Sequence, residues 1–545
     1  MARPKILLTL DCIAALQYNL LTLSLLFACI SVLTAIGFDN VYAGQNYSLN
    51  ITEGIASGDV TDHDSTIWSR VNLPSIMHVQ IAKDPLFKTS DSQIQWVDNA
   101  TDFTGKIRLN NLTSATKYYY KVWFSSTDNH INSSSLTGTF KTALNSSSSG
   151  KIISFIVGGD IGGQKLCRDS KNGYSIFEKM RRYNADFYIQ NGDMIYAIND
   201  CPVKRPDGGR NIPGNFSGIA DQSVDWNNIT QVYDIYRSHW LYNRGDPHLQ
   251  NFLKNTSMYS QWDDQDVIND FGAPWLYWNS QSKNRTGYHN IVNEGRNTFL
   301  NFSPINIDKD NPNRIYRLFH WGKDLDLLIV DARSNRSRND MQDTPENHKS
   351  MLGNQQLKWL EYNLLNSNAT WKVISSDVPI SIPTGANASM FGRDGWANGI
   401  DLDFSSKTGF ERELGQLMKF IDDNNIKNVV FVTTDVHFPA ILKYNSDVNR
   451  DGDPVNVYEI VSGPLSAFRF GLPGAPLPML DPTFQPSILY VEGGIYNFAY
   501  IKIEKQSDGN VHLLADIIGE DGVARPNSHI DIVPQESILG NISHK

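Results

Sequence analysis

The chain has 545 residues, 40% of them hydrophobic and 19% charged, with a formal net charge of -10. That apolar content excludes a disordered chain, and the length allows about two to four domains, or one large domain with a small one. No Lys/Arg-dense run appears, so the phosphate-neutralising surface of a nucleic-acid binder is missing.

The N-terminal stretch addresses the compartment. Arg3 and Lys5 precede a long apolar run that Asp11 and Asn19 interrupt and that resumes without charge from Leu20 to Phe38. Val41-Tyr42-Ala43 offers a small-residue end of the kind signal peptidases cut. Residues 1–43 therefore predict a secretory signal, or an uncleaved N-terminal membrane anchor of nearly spanning length. Either places the rest of the chain in an extracellular or cell-surface setting. Asn-x-Ser/Thr triplets begin at Asn46, Asn99, Asn111, Asn132, Asn215, Asn284 and Asn335, as glycan acceptors of a secreted chain do. Beyond the leader only Cys167 and Cys201 remain, enough for one bridge or two separate thiols.

From residue 46 to 143 short runs alternate apolar and polar residues; Ser65–Val71, Met77–Ile81, Tyr118–Trp123 and Gly138–Thr142 are the clearest. Regularly spaced short strands without a helical stretch predict an all-β sandwich. Leu112-Thr113-Ser114-Ala115-Thr116-Lys117-Tyr118-Tyr119-Tyr120 is similar to the tyrosine corner of fibronectin type III-like sandwiches, where a Tyr hydroxyl ties a loop to the sheet. Residues 144–150, mostly Asn and Ser and ending in Gly150, read as a linker.

Residues 151–535 alternate apolar runs with helical stretches, which predicts one α/β layered catalytic domain, followed by a tail over 536–545. Carboxylates fall at the strand ends. Ile152–Val157 leads to Asp160, Ala185–Gln190 to Asp193, Leu325–Val330 to Asp331, Trp371–Ser376 to Asp377, and Asn428–Thr434 to Asp435, with His437 following. A single such Asp is an ordinary helix cap. Several on the sheet edge where open α/β folds bind ligands repel one another unless a cation sits among them. The donors are mostly oxygens, with few His and at most one thiol, which suits hard cations such as Ca²⁺, Mg²⁺, Mn²⁺ or Fe³⁺. A phenolate from Tyr196 favours ferric iron.

Several blocks carry a family resemblance. Gly192-Asp193-Met194-Ile195-Tyr196 matches the G-D-x-x-Y block of metallophosphoesterases. Trp262-Asp263-Asp264-Gln265-Asp266-Val267-Ile268-Asn269-Asp270 matches the W-D-D-H-D-x-x-N-D block of the alkaline phosphatase D (PhoD-like) family. Val330–Arg336 resembles its L-D-T-R-x-x-R block, and Thr434–Phe438 its G-D-V-H block. Gly54–Thr61 with Trp68-Ser69-Arg70 resembles the opening of the family's N-terminal domain. From about Glu53 to the C-terminal region, the chain thus resembles a divergent member of this family.

The resemblance implies a four-layer αββα metallophosphoesterase domain with a metal cluster containing Fe³⁺ and Ca²⁺, with Mn²⁺, Mg²⁺ or Zn²⁺ as alternatives. It implies Asp160, Asp193 and Tyr196 as ligands and Asp264 as a bridging or second-metal ligand. Asp435 and His437 take the two histidine places of the superfamily's G-H-x-H block. Cys167 aligns with a metal-binding Cys, in competition with a disulfide to Cys201. Asn269 and Asp263 are further candidates, and Arg333 with Arg336 are candidate phosphate forks. Gln265 stands where the family has His; an amide cannot be a general acid, but it can hydrogen-bond a phosphoryl oxygen.

The expected activity is hydrolysis of phosphate mono- or diesters by a metal-activated hydroxide attacking phosphorus in line, with inversion of configuration. The substrate is a small phosphate ester or a phospholipid, the latter making a phospholipase D-type phosphodiesterase the alternative. An alternative of another class is a non-catalytic surface binding protein on the same scaffold. A Ser-His-Asp hydrolase lacks its Gly-x-Ser-x-Gly elbow.

Overall fold

The computed structural model describes residues 48–535, apart from 129, 273–282, 340, 342, 385–393, 398–408, 453 and 472–479. The leader and the C-terminal tail lie outside the described residues, within which no helix is long and apolar enough to cross a membrane. The described strands form three sheets.

The N-terminal region is built of strands, as the sequence pattern predicts; burial alternates along Ser75–Ala82, Lys117–Ser125 and Leu136–Lys141, whereas Ile55–Gly58 and Ser65–Arg70 are buried at every position. β1 (Ile55–Gly58), β2 (Ser65–Arg70) and β5 (Thr104–Leu109) pair antiparallel in the order β1-β2-β5. β3 (Ser75–Ala82), β4 (Ser90–Val97), β6 (Lys117–Ser125) and β7 (Leu136–Lys141) form a separate sheet in the order β4-β3-β6-β7. Inward residues of both sets, among them Ile67, Ile107, Val79, Val122 and Phe140, share one hydrophobic core. Thr113 N donates to Tyr118 Oη at 2.8 Å, the loop tie expected of a tyrosine corner. In the connection that follows, Ser149 Oγ and Gly150 N donate to the buried Asp324 carboxylate at 2.7 and 2.6 Å.

The longer apolar runs become strands buried on both faces, as parallel strands are. β8 (Ile153–Gly158), β9 (Phe187–Asn191) and β10 (Ser257–Gln261) are parallel neighbours. β18 (Asn497–Lys505), β19 (Val511–Gly519) and β20 (Ile530–Ile532) extend that sheet antiparallel beyond β8. At its other side β1 pairs parallel with β10 through Gly58 and Met258, so the N-terminal strands continue the same sheet, in the order β20-β19-β18-β8-β9-β10-β1-β2-β5.

The third sheet comprises β11 (Arg317–Trp321), β12 (Leu325–Ile329), β13 (Trp371–Ser375), β14 (Val429–Thr433), β15 (Ala440–Ser446), β16 (Val455–Val461) and β17 (Pro486–Val491). Its order is β11-β12-β13-β14-β16-β15-β17, with β12, β13, β14 and β16 parallel.

The period of two along each strand assigns alternate residues to different cores. Phe155, Val157, Phe187 and Ile189 share a core with Leu325, Leu327, Val373, Val430 and Val432 of the other large sheet. The alternate residues Ile156, Tyr188 and Met258 cluster with apolar residues of α1 (Ile176–Arg182), α2 (Ile229–Arg244), α3 (Pro247–Leu253) and α4 (Arg285–Phe302). Leu328, Ile374 and Phe431 cluster with residues of α5 (Gly353–Asn366) and α6 (Glu411–Asp423). The fold is therefore mixed α/β with an N-terminal β region. The loops leaving β8, β9, β10, β13 and β14 carry the acidic residues singled out in the sequence.

Candidate active site

These loops leave their strands through strained backbone. Asp160, Asp193, Asp435 and His437 have φ of 61°, 52°, 74° and 61°, a left-handed conformation that costs a non-glycine residue about 1–3 kcal/mol and concentrates at functional sites. Two glycines make room. A Cβ on Gly192 (φ 84°) would lie 2.4 Å from Asp263 Cβ, and one on Gly463 (φ 96°) would lie 2.3 Å from Asp160 Oδ2.

The strand-end carboxylates meet. Asp160, Asp193 and His437 bring ligand atoms within 4.8 Å of one another, as do Asp193, Asp263 and Asp264, and also Asp264, Asp270 and Asp394. All are buried. Both oxygens of Asp160 and Oδ2 of Asp263 lack a hydrogen-bond partner. Asp266 serves the backbone instead: its carboxylate accepts from Asp193 N and Asp263 N at 3.1 and 3.0 Å, fixing the two loops side by side.

His437 is held in one tautomer. Its Nδ1 donates to Phe468 O at 2.5 Å, which leaves Nε2 as an acceptor, 2.7 Å from the Tyr196 hydroxyl. A backbone carbonyl behind an imidazole is the arrangement that orients metal-ligating histidines.

Burial and mutual repulsion dominate the electrostatics of these acids, with Arg333 offsetting part of it at Asp264 and Asp435. Burial, and then neighbouring carboxylates, raise Asp160 and Asp193 well above the usual carboxylate range. Burial raises Asp264 and Asp435 likewise, with Asp263 adding to both. Burial, with Asp193 and Asp160 beside it, raises the Tyr196 phenol. Burial lowers the His437 imidazole to about 4, so it is neutral and its Nε2 lone pair is available.

Asp193, Tyr196, Asp264, Gln265, Asn269, Asp435 and His437 line one cavity of about 430 Å³, with Phe468 and Phe470 also on its wall. Asp435 contributes to this wall, and its Oδ2 accepts from Thr384 Oγ1 at 2.5 Å. Gln265 N donates to Asp193 Oδ1 at 3.1 Å and its Nε2 to Asn269 Oδ1 at 2.6 Å, while its Oε1 is buried without a partner.

Two expectations are corrected. Arg333 is not a phosphate fork: its side chain is fully buried, and its guanidinium is consumed by Asp263, Asp377 and Asp394. Nε lies 2.6 Å from Asp263 and 3.1 Å from Asp377, and Nη1 lies 2.7 Å from Asp394. Arg336 is likewise turned onto Asp394 at 2.7 Å. Although Asp394 is buried, the two arginines lower its pKa to about 2. Cys167 is not a ligand either, because it is disulfide-bonded to Cys201 and has no thiolate to offer.

Of the other strand-end acids, Asp377 joins the Arg333 network. Asp331 accepts from Arg333 N, Ser334 N and Trp262 Nε1, which closes a local Asx turn and ties it to Trp262. Asp270 and Asp394 were not anticipated. Asp270 ends the Trp262–Asp270 block and could have been found there, whereas Asp394 carries no local signal.

The family model described as PhoD-like phosphatase matches residues 160–485, and the model of its N-terminal domain matches residues 40–144. Alkaline phosphatase D of Bacillus subtilis (strain 168) is 22% identical over 466 residues, covering 79% of this chain and 72% of the relative. A solved structure titled as that of PhoD superposes with a TM-score of 0.70 at 17% identity, covering 91% of this chain and 95% of that one. A purple acid phosphatase from yellow lupin (Lupinus luteus) superposes with a TM-score of 0.54 at 11% identity, covering 88% of this chain and 73% of that one. With more than half of its length matched by the family model and buried acidic clusters that could hold metal ions, the chain belongs to the PhoD-like phosphatase family and is a hydrolase of phosphoric ester bonds.

Proposed function

We propose that the chain is a secreted or surface-attached, metal-dependent phosphoesterase acting on phosphate monoesters, diesters or both. Asp160 carries the metal dependence: it is fully buried, neither oxygen has a partner, and it adjoins Asp193 and His437. Uncompensated buried carboxylates cost several kcal/mol each, by order of magnitude, and a cation among them removes that cost. The residues fit such an ion. Asp160, Asp193, His437 and Tyr196 would hold one cation, with Asp264 and Asp263 beside Asp193 holding a second. Oxygen donors with one imidazole and one phenol suit Fe³⁺ with Ca²⁺.

Cations held by these residues would supply Lewis acidity that ionises water near neutral pH and offsets charge on the phosphoryl group. The chain's own residues do the rest. Burial keeps His437 neutral and the carbonyl of Phe468 orients it, the amide N–H groups of Gln265 and Asn269 are the donors for a phosphoryl oxygen, and Asp266 keeps the Asp193 and Asp263 loops in register. The sheet-to-sheet core with helices clustered on the other strand faces supports the αββα layering, and the Tyr118 tie supports a fibronectin type III-like N-terminal sandwich.

A second reading, a diester or phospholipid substrate with an apolar arm, is favoured by Phe468 and Phe470, which are 50% and 53% exposed on the cavity wall. The Cys167–Cys201 disulfide supports an oxidising compartment outside the cytoplasm.

The test uses purified full chain with p-nitrophenyl phosphate and bis-p-nitrophenyl phosphate. Chelation is expected to abolish both hydrolyses and added Fe³⁺ with Ca²⁺ to restore them; full rates in metal-free protein would overturn the reading. The ratio of the two rates ranks monoester against diester. A visible charge-transfer band that Tyr196→Phe removes identifies the phenolate ligand.

A further inference from the structure

Away from the catalytic cavity, one loop joins a cation-binding sequence pattern to a buried carboxylate with an unpartnered oxygen. Between β15 and β16 the chain runs Asp447-Val448-Asn449-Arg450-Asp451-Gly452. Oxygen-bearing side chains at alternate positions followed by glycine form the first half of an EF-hand-type calcium loop. Gly452 has φ 88°, the sharp turn that glycine makes in such a loop. A complete loop closes with a Glu six residues after the glycine, but Tyr458 occupies that place here.

A carboxylate from another element stands where that ligand is missing. Asp422, in the last turn of α6, is 5% exposed. Its Oδ2 accepts from Asn449 N at 2.8 Å, and its Oδ1 is buried with no partner. The location is unfavourable for an anion. It is the negative end of a helix, and the neighbouring Asp451 and Asp447 charges have its own sign. A carboxylate in this position is stable when a cation lies between it and the loop.

We propose that Asp447, Asn449, Asp451 and Asp422 bind a calcium ion that fastens the C-terminal end of α6 to the β15–β16 connection. Mixed carboxylate and amide oxygens on a pliable loop suit Ca²⁺ better than the rigid octahedron of Mg²⁺. None of the four residues lines the catalytic cavity, and the inference stands independently of the catalytic reading.

The experiment is a titration of the full chain with CaCl₂ alone, followed by calorimetry and equilibrium dialysis. Asp451 is exposed, so Asp451→Ala tests the site without disturbing a core, and Asp422→Asn tests the buried oxygen. Each variant is expected to bind one calcium fewer than the wild type, or to bind it at least about tenfold more weakly. Each is also expected to lose part of the calcium-induced rise in melting temperature, and Asp451→Ala to retain the wild-type hydrolysis rate. Asp451→Ala binding the same number of calcium ions as the wild type, with the same affinities up to about 10 mM, would overturn the proposal.

Discussion

At the scale of single residues the site is a set of carboxylates largely shielded from bulk solvent. Asp193 belongs to two of the converging groups, with Asp160 and His437 on one side and Asp263 and Asp264 on the other. Asp193→Asn is therefore expected to lower hydrolysis at least about 100-fold, more than loss of an outer-shell partner does; elemental analysis should show reduced metal content together with the rate. Arg333 works by a different principle. It pairs with Asp263, Asp377 and Asp394, so Arg333→Met leaves the buried Asp263 and Asp377 without their cation, while Asp394 keeps Arg336. The expected cost is about 3–5 kcal/mol in unfolding free energy, read by urea denaturation; a variant as stable as the wild type would refute this role. Asp160, Asp193, Tyr196, Asp264 and His437 were legible because each sits beside a recognisable strand run or block. The Arg333 network was not, because its partners Asp263, Asp377 and Asp394 are 70, 44 and 61 residues away in sequence.

Among the elements, apolar runs announced β8, β9, β12, β13 and β14, because clustered β-branched and aromatic residues suit a strand covered on both faces, whereas β10, Ser-Met-Tyr-Ser-Gln, carries no such run and was not anticipated. Sheet edges were harder to read. β20 is only three residues long, and a side-chain bridge helps hold it. His512 on β19 places Nδ1 2.6 Å from Asp531 of β20 and Nε2 2.9 Å from Asp508 in the preceding turn. Burial opposes the imidazolium charge, but the two carboxylates outweigh it and raise the pKa above 6.5. The folded state therefore holds the proton more tightly than the unfolded chain, and the bridge stabilises in full below about pH 6.5 and fades as pH rises through the folded value. His512→Gln should lower the melting temperature most near pH 5.5 and least above pH 8; a gap constant over that range would contradict the bridge. Asp508 and Asp531 are 44% and 47% exposed, so solvent screening keeps the effect small.

For the whole molecule, the pairing of β1 with β10 matters most. It makes the N-terminal strands part of the large sheet, and Tyr259 Oη reinforces the junction by donating to Val60 O at 2.6 Å. A fragment beginning at Lys151 would expose the edge of β10 and part of a hydrophobic core, and unpaired edges recruit other chains. Such a fragment is expected to aggregate in size-exclusion chromatography or to melt well below the full chain; a monomer with the melting temperature of the full chain would refute this. Local pattern was enough to place the strand runs, the acidic residues at their ends and the donor chemistry, because periodicity and residue type act over a few neighbouring positions. Which acids face the cavity and which face Arg333, the meeting of Tyr196 with His437 across 241 residues, and the joining of β1 to β10 were decided by how the sheets stack. Those pairings follow from long-range burial, which no short stretch of chain encodes.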